Sequence, residues 1–306
     1  MQELNGNDIS SHLATELLKE KRSERRWRNT RFIAWFALIA LIVFKMLNIG
    51  VPSMKSSSNK TYAALIRLDG MIAPGREFSS EEIVPILRKA FSDKHASGVI
   101  IDINSPGGTP VQAAIIHDAI LYYKKKYHKK VVVVGEDMLT SGAYYVAVAA
   151  DKIYVNPNTL TGSIGVIVKG FGFVDLMKKL GVERRVYVSG NDKDRLDPFM
   201  PQTESDLKKI RSVMGEVQAN FAMAVVNGRK GKLHGTPEEL FTGDFWSGDT
   251  AKKLGLVDGL GNLIDVMQTE FKTTEYKQYG GTPAFLKMIS GQLSSSLDTM
   301  LYTYIS

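Results

Sequence analysis

Apolar positions change their period along this 306-residue chain, and the changes mark its organisation. Residues 32–51 are apolar almost without a break: Phe-Ile-Ala-Trp-Phe-Ala-Leu-Ile-Ala-Leu-Ile-Val-Phe, then Lys45, then Met-Leu-Asn-Ile-Gly-Val. The length matches the roughly 20 residues that a bilayer core requires. Each Ile, Leu, Val or Phe favours insertion by roughly 0.3–0.6 kcal/mol, which together outweighs one lysine at about 3.5 kcal/mol. Lys45 also lies toward one end, where its stem can carry the charge to the interface. The pattern predicts one transmembrane helix over 32–51. A cleaved leader fits less well, because Pro52-Ser53-Met54 stands where a small-residue cleavage site belongs. Residues 52–60 are polar and serine-rich and predict a tether.

Beyond the tether the pattern alternates between short apolar runs and helical spacing. Residues 62–68 predict a strand. Ser79, with Glu82 three residues on, predicts a capped helix start. Residues 98–103 (Gly-Val-Ile-Ile-Asp-Ile) are the continuous run expected of a buried parallel strand. Thr109-Pro110 opens another helix, 131–134 is a second buried strand, 141–149 a helix and 152–155 a strand. This alternation predicts an α/β fold with mostly parallel strands. Residues 202–226 predict a long helix, and 273–306 are weakly patterned. The expected organisation is a basic segment 1–31, the span 32–51, a linker 52–60, a main domain 61–272 and a tail 273–306.

Composition refines this picture. The net charge is +7, and Lys21, Arg22, Arg25, Arg26, Arg28 and Arg31 cluster directly before the apolar run. That position points to a lipid surface and away from nucleic acid. It predicts a cytoplasmic N-terminus, with everything after the span on the extracytoplasmic side of the plasma (inner) membrane. The chain has no cysteine, which excludes disulfides and thiolate metal sites.

Candidate chemistry sits at two strand ends. Ser141 lies in Thr140-Ser-Gly-Ala-Tyr-Tyr145, after a buried strand and at the start of a helix. A serine there is either a helix cap or an activated nucleophile. Asn104-Ser-Pro-Gly107-Gly108 also follows a buried strand; it is either a simple turn or a place where amides could hold an oxyanion. Both open at the carboxyl edge, where open α/β sheets bind ligands. His12, His95, His117, His128 and His234 have no motif context as bases, and no metal-binding pair appears. Neither a metal nor a cofactor is expected.

Several ordered motifs carry a resemblance. They are Ser-Gly-x-Tyr-Tyr, Asn-Ser-Pro-Gly-Gly, Thr161-Gly-Ser163-Ile-Gly-Val166, the loop holding Lys193 and Pro198-Phe199, and Trp246-Ser-Gly248 with Gly255-Leu-Val-Asp258. Over about 62–271 the chain resembles the signal peptide peptidase A family of serine-lysine proteases, in its short membrane-anchored form. The resemblance implies a crotonase/Clp-protease-like fold of repeated β-β-α units and a homo-oligomer whose active site is shared between subunits. It implies Ser141 as nucleophile, Lys193 as general base and Ser163 as the residue orienting the lysine. Oxyanion amides would come from the segments of Gly107, Gly108 and Gly142, which two being open. Remnant signal peptides and other membrane-associated peptides are the implied substrates.

One departure is Asp192, where the family often carries an aromatic residue. A lysine base must be neutral, whereas a free lysine titrates near 10.4, so its site must be walled from water. Tyr144 and Tyr145 are candidates for that wall. In an extended segment, Asp192 and Asp194 would point away from Lys193. Two rivals stand beside the peptidase reading: a crotonase-like acyl-CoA enzyme using the same Gly-Gly turn, and a catalytically inactive membrane scaffold.

Overall fold

A computed structural model describes residues 27, 29–41 and 61–281. The chain divides into two units, Met1–Lys60 and Thr61–Ser306. In the first, residues 29–41 are helical and expose apolar side chains such as Phe32 and Phe36. Residues 42–51 of the expected span lie outside the described residues, as do the linker, most of the basic segment and 282–306. Among the described residues, no helix is long and apolar enough to cross a membrane.

The second unit runs β1 (Tyr62–Asp69), α1 (Ser80–Ser92), β2 (Ala96–Ser105), α2 (Pro110–Tyr127), β3 (Val131–Thr140), α3 (Gly142–Ala147), β4 (Lys152–Val155), β5 (Leu160–Gly162), α4 (Val174–Leu180), α5 (Glu204–Gly228), α6 (Pro237–Leu240), β6 (Phe245–Trp246), α7 (Gly248–Lys253), β7 (Gly259–Leu260), α8 (Leu263–Phe271) and β8 (Tyr276–Tyr279). Local signals set many of these boundaries. Ser79 accepts the Glu82 amide and starts α1. Pro110, whose missing N–H costs nothing in a first turn, starts α2.

The strands form one sheet in the order β6-β5-β3-β2-β1-β8, with β4 joining β3 to β7. Every pairing is parallel except β5 with β6. The sheet is covered on both faces, which explains the unbroken apolar runs. Ile66, Ile101 and Val133 face the larger core, while Leu65, Ile100 and Val132 face Val266 and Met267 of α8. β8 pairs with β1, so the sheet continues into the segment read as a tail.

β3 is longer than the sequence suggested. Its apolar run stops at Val134, where the sequence ends the predicted strand. Instead its first half pairs with β4 and its second half with β5. Between the halves, Ile103 faces Gly135 while Ser105 faces Leu139, so Glu136–Met138 bulge out of the ladder. The bulge is clamped from both sides. Asn104 Oδ1 accepts the Met138 amide at 3.2 Å, and Thr159 Oγ1 donates to the Glu136 carbonyl at 2.5 Å. The charged bulge interrupts the hydrophobic pattern and hides the strand that carries the candidate serine.

Arg229, only 1% exposed, ties the end of α5 to the segment between α7 and β7. Its Nε donates to the Gly255 carbonyl at 3.0 Å and its guanidinium pairs with Asp258. Asp258 also receives Lys232 at 2.6 Å and the Ile153 amide at 2.8 Å. Burial raises the Asp258 pKa, but Arg229 and Lys232 outweigh it and hold the group below its usual value. The stability this contributes is present above the ordinary carboxylate pKa and is lost as pH falls through the lowered one. Arg229→Met removes one of the three groups that hold Asp258, leaving Lys232 and the Ile153 amide, and is expected to cost about 1–3 kcal/mol in urea denaturation at pH 7. A midpoint equal to wild type would refute this role for Arg229.

Candidate active site

Ser141 sits on a sharp turn between β3 and α3, with φ 53° and ψ −124°. A side chain at positive φ costs roughly 1–3 kcal/mol and persists only where its surroundings enforce it. Here the enforcement is visible. The Ser141 amide donates to the Gly162 carbonyl of β5 at 2.7 Å, and its carbonyl accepts the Tyr145 amide at 3.0 Å. The side chain does not cap α3, which removes the helix-cap reading. The geometry is that of a strand–turn–helix elbow, which presents a serine hydroxyl at a sheet edge.

The turn after β2 packs directly against this elbow. Gly107 has φ 96°, and a Cβ there would stand 2.7 Å from both the Ser141 Cβ and the Gly142 nitrogen. A Cβ on Gly108 would overlap the Ile72 carbonyl. Only glycines allow so close an approach. The turn is held by Ile72, which donates to Gly107 O and accepts from Thr109 N, each at 2.9 Å, and by Ser105 Oγ, which accepts the Gly107 amide at 3.1 Å. Among the described residues, the Gly108 and Gly142 amides donate to no protein group. As the first residue of α3, Gly142 has no intrahelical acceptor.

Ser163 follows β5, one register step beyond the Thr140–Gly162 pair, so it neighbours Ser141 across adjacent strands. It also has positive φ, 51°, and its amide donates to the Asp244 carbonyl at 2.7 Å. The structure therefore brings Ser141, Ser163, Gly107, Gly108 and Gly142 to one edge.

Among the described residues, no hydrogen bond or ion pair joins Lys193 to that edge. The residue is exposed, and its ammonium makes no such contact with any other described group. The segment is a run of turns and not the extended strand considered from sequence: Lys193 N donates to Gly190 O, and Asp197 N to Asp194 O. Asp192 is occupied by Arg195 at 2.7 Å, which also holds Asp206 at 3.0 Å. Phe173 stacks on Phe199 with ring centroids 5.3 Å apart, and Arg184 pairs with Asp197, so the loop carries its own small scaffold. From residue 165 to 220 no residue is buried.

The tyrosines do not form a wall for this lysine. Tyr144 is wholly buried and donates to the Leu256 carbonyl at 2.6 Å. Tyr145 packs between His117 and Phe221. Both belong to the core under Ser141. Ile72, Thr159 and Asp244 were missed from the sequence, because each acts through tertiary contacts to backbone atoms.

Comparison with known proteins gives the chain a family. The family profile described as "Peptidase family S49" matches residues 123–279, which include Ser141, Ser163 and Lys193. A Brucella melitensis protein named Na(+)/H(+) antiporter NhaA is 43% identical over 217 residues, 69% of this chain and 29% of its own length. Protease 4 of Salmonella typhi is 28% identical over 76% of this chain and 38% of its own. The chloroplastic serine protease SPPA of Arabidopsis thaliana is 29% identical over 65% of this chain and 30% of its own. The chain thus spans well under half the length of these relatives.

The strain at Ser141 makes a prediction that is independent of catalysis. Ser141→Gly removes the Cβ that positive φ penalises and is expected to stabilise the fold by about 1 kcal/mol, or about 2–4 °C in melting temperature. Ser141→Ala keeps the Cβ and should melt with wild type. A lower melting temperature for the glycine variant would show that the turn is unstrained.

Proposed function

The chain belongs to peptidase family S49, and from that premise we propose that it is a serine endopeptidase with a Ser141–Lys193 dyad. The observation that carries the reading is the Ser141 elbow. Its strained turn exposes an uncapped hydroxyl beside two unused amides. In the proposed reaction, Ser141 Oγ attacks the scissile carbonyl carbon while Lys193 takes its proton. The oxyanion is held by the Gly108 and Gly142 amides, with Gly107 giving the substrate backbone access. Lys193 then returns the proton to the leaving amine. A water activated by the same lysine cleaves the acyl-enzyme. Ser163 orients the lysine and does not itself react.

The lysine comes from a neighbouring copy in this account. Three facts support that. Lys193 lies in an exposed excursion, its ammonium has no partner there, and the excursion displays apolar side chains. Ile167, Phe171 and Tyr187 are 71%, 82% and 91% exposed. Head-to-tail contacts between such excursions and neighbouring sheets would close into a ring and exclude water from the lysine. The proposed architecture is the crotonase/Clp-protease-like one of repeated β-β-α units. The apolar run 32–51 and its basic flank support a single-pass anchor, with the N-terminus cytoplasmic and the peptidase unit extracytoplasmic. Substrates at that surface would be remnant signal peptides and other membrane-associated peptides.

A serine and its base act as one unit, so Ser141→Ala and Lys193→Ala are each expected to lower kcat by about 10⁴-fold or more. Lys193→Arg is expected to fail equally, since arginine stays protonated. Co-assembled Ser141→Ala and Lys193→Ala subunits are expected to recover peptide cleavage, because some interfaces then pair an intact serine with an intact lysine. Verified mixed oligomers without activity would refute the shared site.

A further inference from the structure

A second opening lies at the carboxyl ends of β1, β2 and β3, on the face that α8 covers. The apolar columns of that face (Ala63 and Leu65; Ile100; Val132 and Val134) end in Arg67, Asp102 and Glu136. A cavity of about 670 Å³ forms there, with these three side chains at one wall and Leu263, Met267 and Tyr276 among the others. That volume suits a small ligand or one long side chain.

Asp102 is the unusual member. It is 3% exposed, it lines the cavity, and its Oδ1 has no hydrogen-bond partner. Arg67 stands 3.7 Å from Oδ2 but is itself 42% exposed. Burial first, and the like charge of Glu136 second, lift the Asp102 pKa to about 7. Buried carboxylate oxygens are ordinarily paired; here Oδ1 is sealed from solvent and Asp102, when protonated, shares a hydrogen bond with Glu136, so the pair holds one proton where a donor entering from the cavity could replace it. The wall also holds Asp137, which sets three carboxylates against one guanidinium and selects for a cation. The apolar part of the wall, Leu263, Met267 and Tyr276, suits a cation that carries a hydrocarbon stem.

We propose that this cavity binds a primary alkylammonium group, seated between Asp102 and Glu136 with its methylene stem against Leu263, Met267 and Tyr276. Two sources offer this chemistry, a lysine side chain within a peptide and a free polyamine. Glu136 precedes Ser141 by five residues on the same chain (141 − 136), at most about 17 Å of extended strand. A lysine held here would therefore lie within reach of a short peptide crossing the elbow. That placement rests on the peptidase reading, whereas the ammonium site does not.

Calorimetry on the full-length protein tests it with three probes: Nα-acetyl-lysine amide, spermidine, and neutral Nα-acetyl-norleucine amide. The amines are expected to bind and the norleucine probe is not. Affinity should rise about tenfold from pH 6 to pH 8 as Asp102 gives up its proton, with Glu136, Arg67 and Asp69 the charges facing it. Asp102→Asn should lose tenfold or more. Ile264→Trp, which narrows the cavity and leaves Asp102 intact, should lose as much and decides the matter if Asp102→Asn fails to fold. Ser141→Ala should bind like wild type, which separates this test from hydrolysis. Tighter acetyl-lysine amide assigns the site to peptides and tighter spermidine to polyamines; either supports the ammonium site. Equal binding of the lysine and norleucine probes, unaltered binding by Ile264→Trp, or no amine binding at pH 8 would overturn it.

Discussion

The rest of the structure depends on the approach of two backbone turns, Gly107–Gly108 against Ser141–Gly142, closer than any side chain would permit. A Cβ on Gly107 would lie 2.7 Å from that of Ser141. The contact is affordable because neighbouring strands hold both turns: Ile72 and Ser105 fix the first, and the Gly162 carbonyl fixes the second. The strain at Ser141 is thus imposed by the sheet. Strain of this kind gathers at functional sites, where it keeps a reactive group out of its relaxed position.

β3 is the element through which this constraint is set. It changes partner midway, from β4 to β5, and the bulge at Glu136–Met138 makes the change possible. One side of the bulge leads to the serine elbow, and the other borders the cavity that holds Asp102. The unit has two very different halves in burial. The sheet and its helices are densely packed, whereas nothing between residues 165 and 220 is buried. That excursion exposes Ile167, Phe171 and Tyr187, and in the proposed mechanism it delivers the lysine to another subunit.

Much of this was legible in the sequence where one local signal decides the outcome. Lys152–Val155 is a strand as expected, Ser79 caps its helix, and Pro110 begins the next. The glycines of the Asn-Ser-Pro-Gly-Gly turn and Ser141 meet at one edge, because consecutive parallel strands place their carboxyl ends together. Other parts were illegible for physical reasons. The second half of β3 carries Glu136 and Asp137, so its pattern breaks although its pairing continues. β5 to β8 are two to four residues long, too short for a periodicity to register. Tyr144 and Tyr145 could have faced either side of α3, and only the tertiary packing assigns them to the core. Asp102 read as one polar residue in an apolar run, with no sign that it faces a cavity.

The central claim is that the elbow makes Ser141 the one activated nucleophile, with Lys193 as its base. Incubating the full-length protein with a serine-acylating lactone and mapping the adduct by peptide mass spectrometry tests this directly. The account predicts acylation at Ser141 in the wild type and none at that residue in Lys193→Ala. Acylation at a different serine, or undiminished acylation of Ser141 without Lys193, would contradict it.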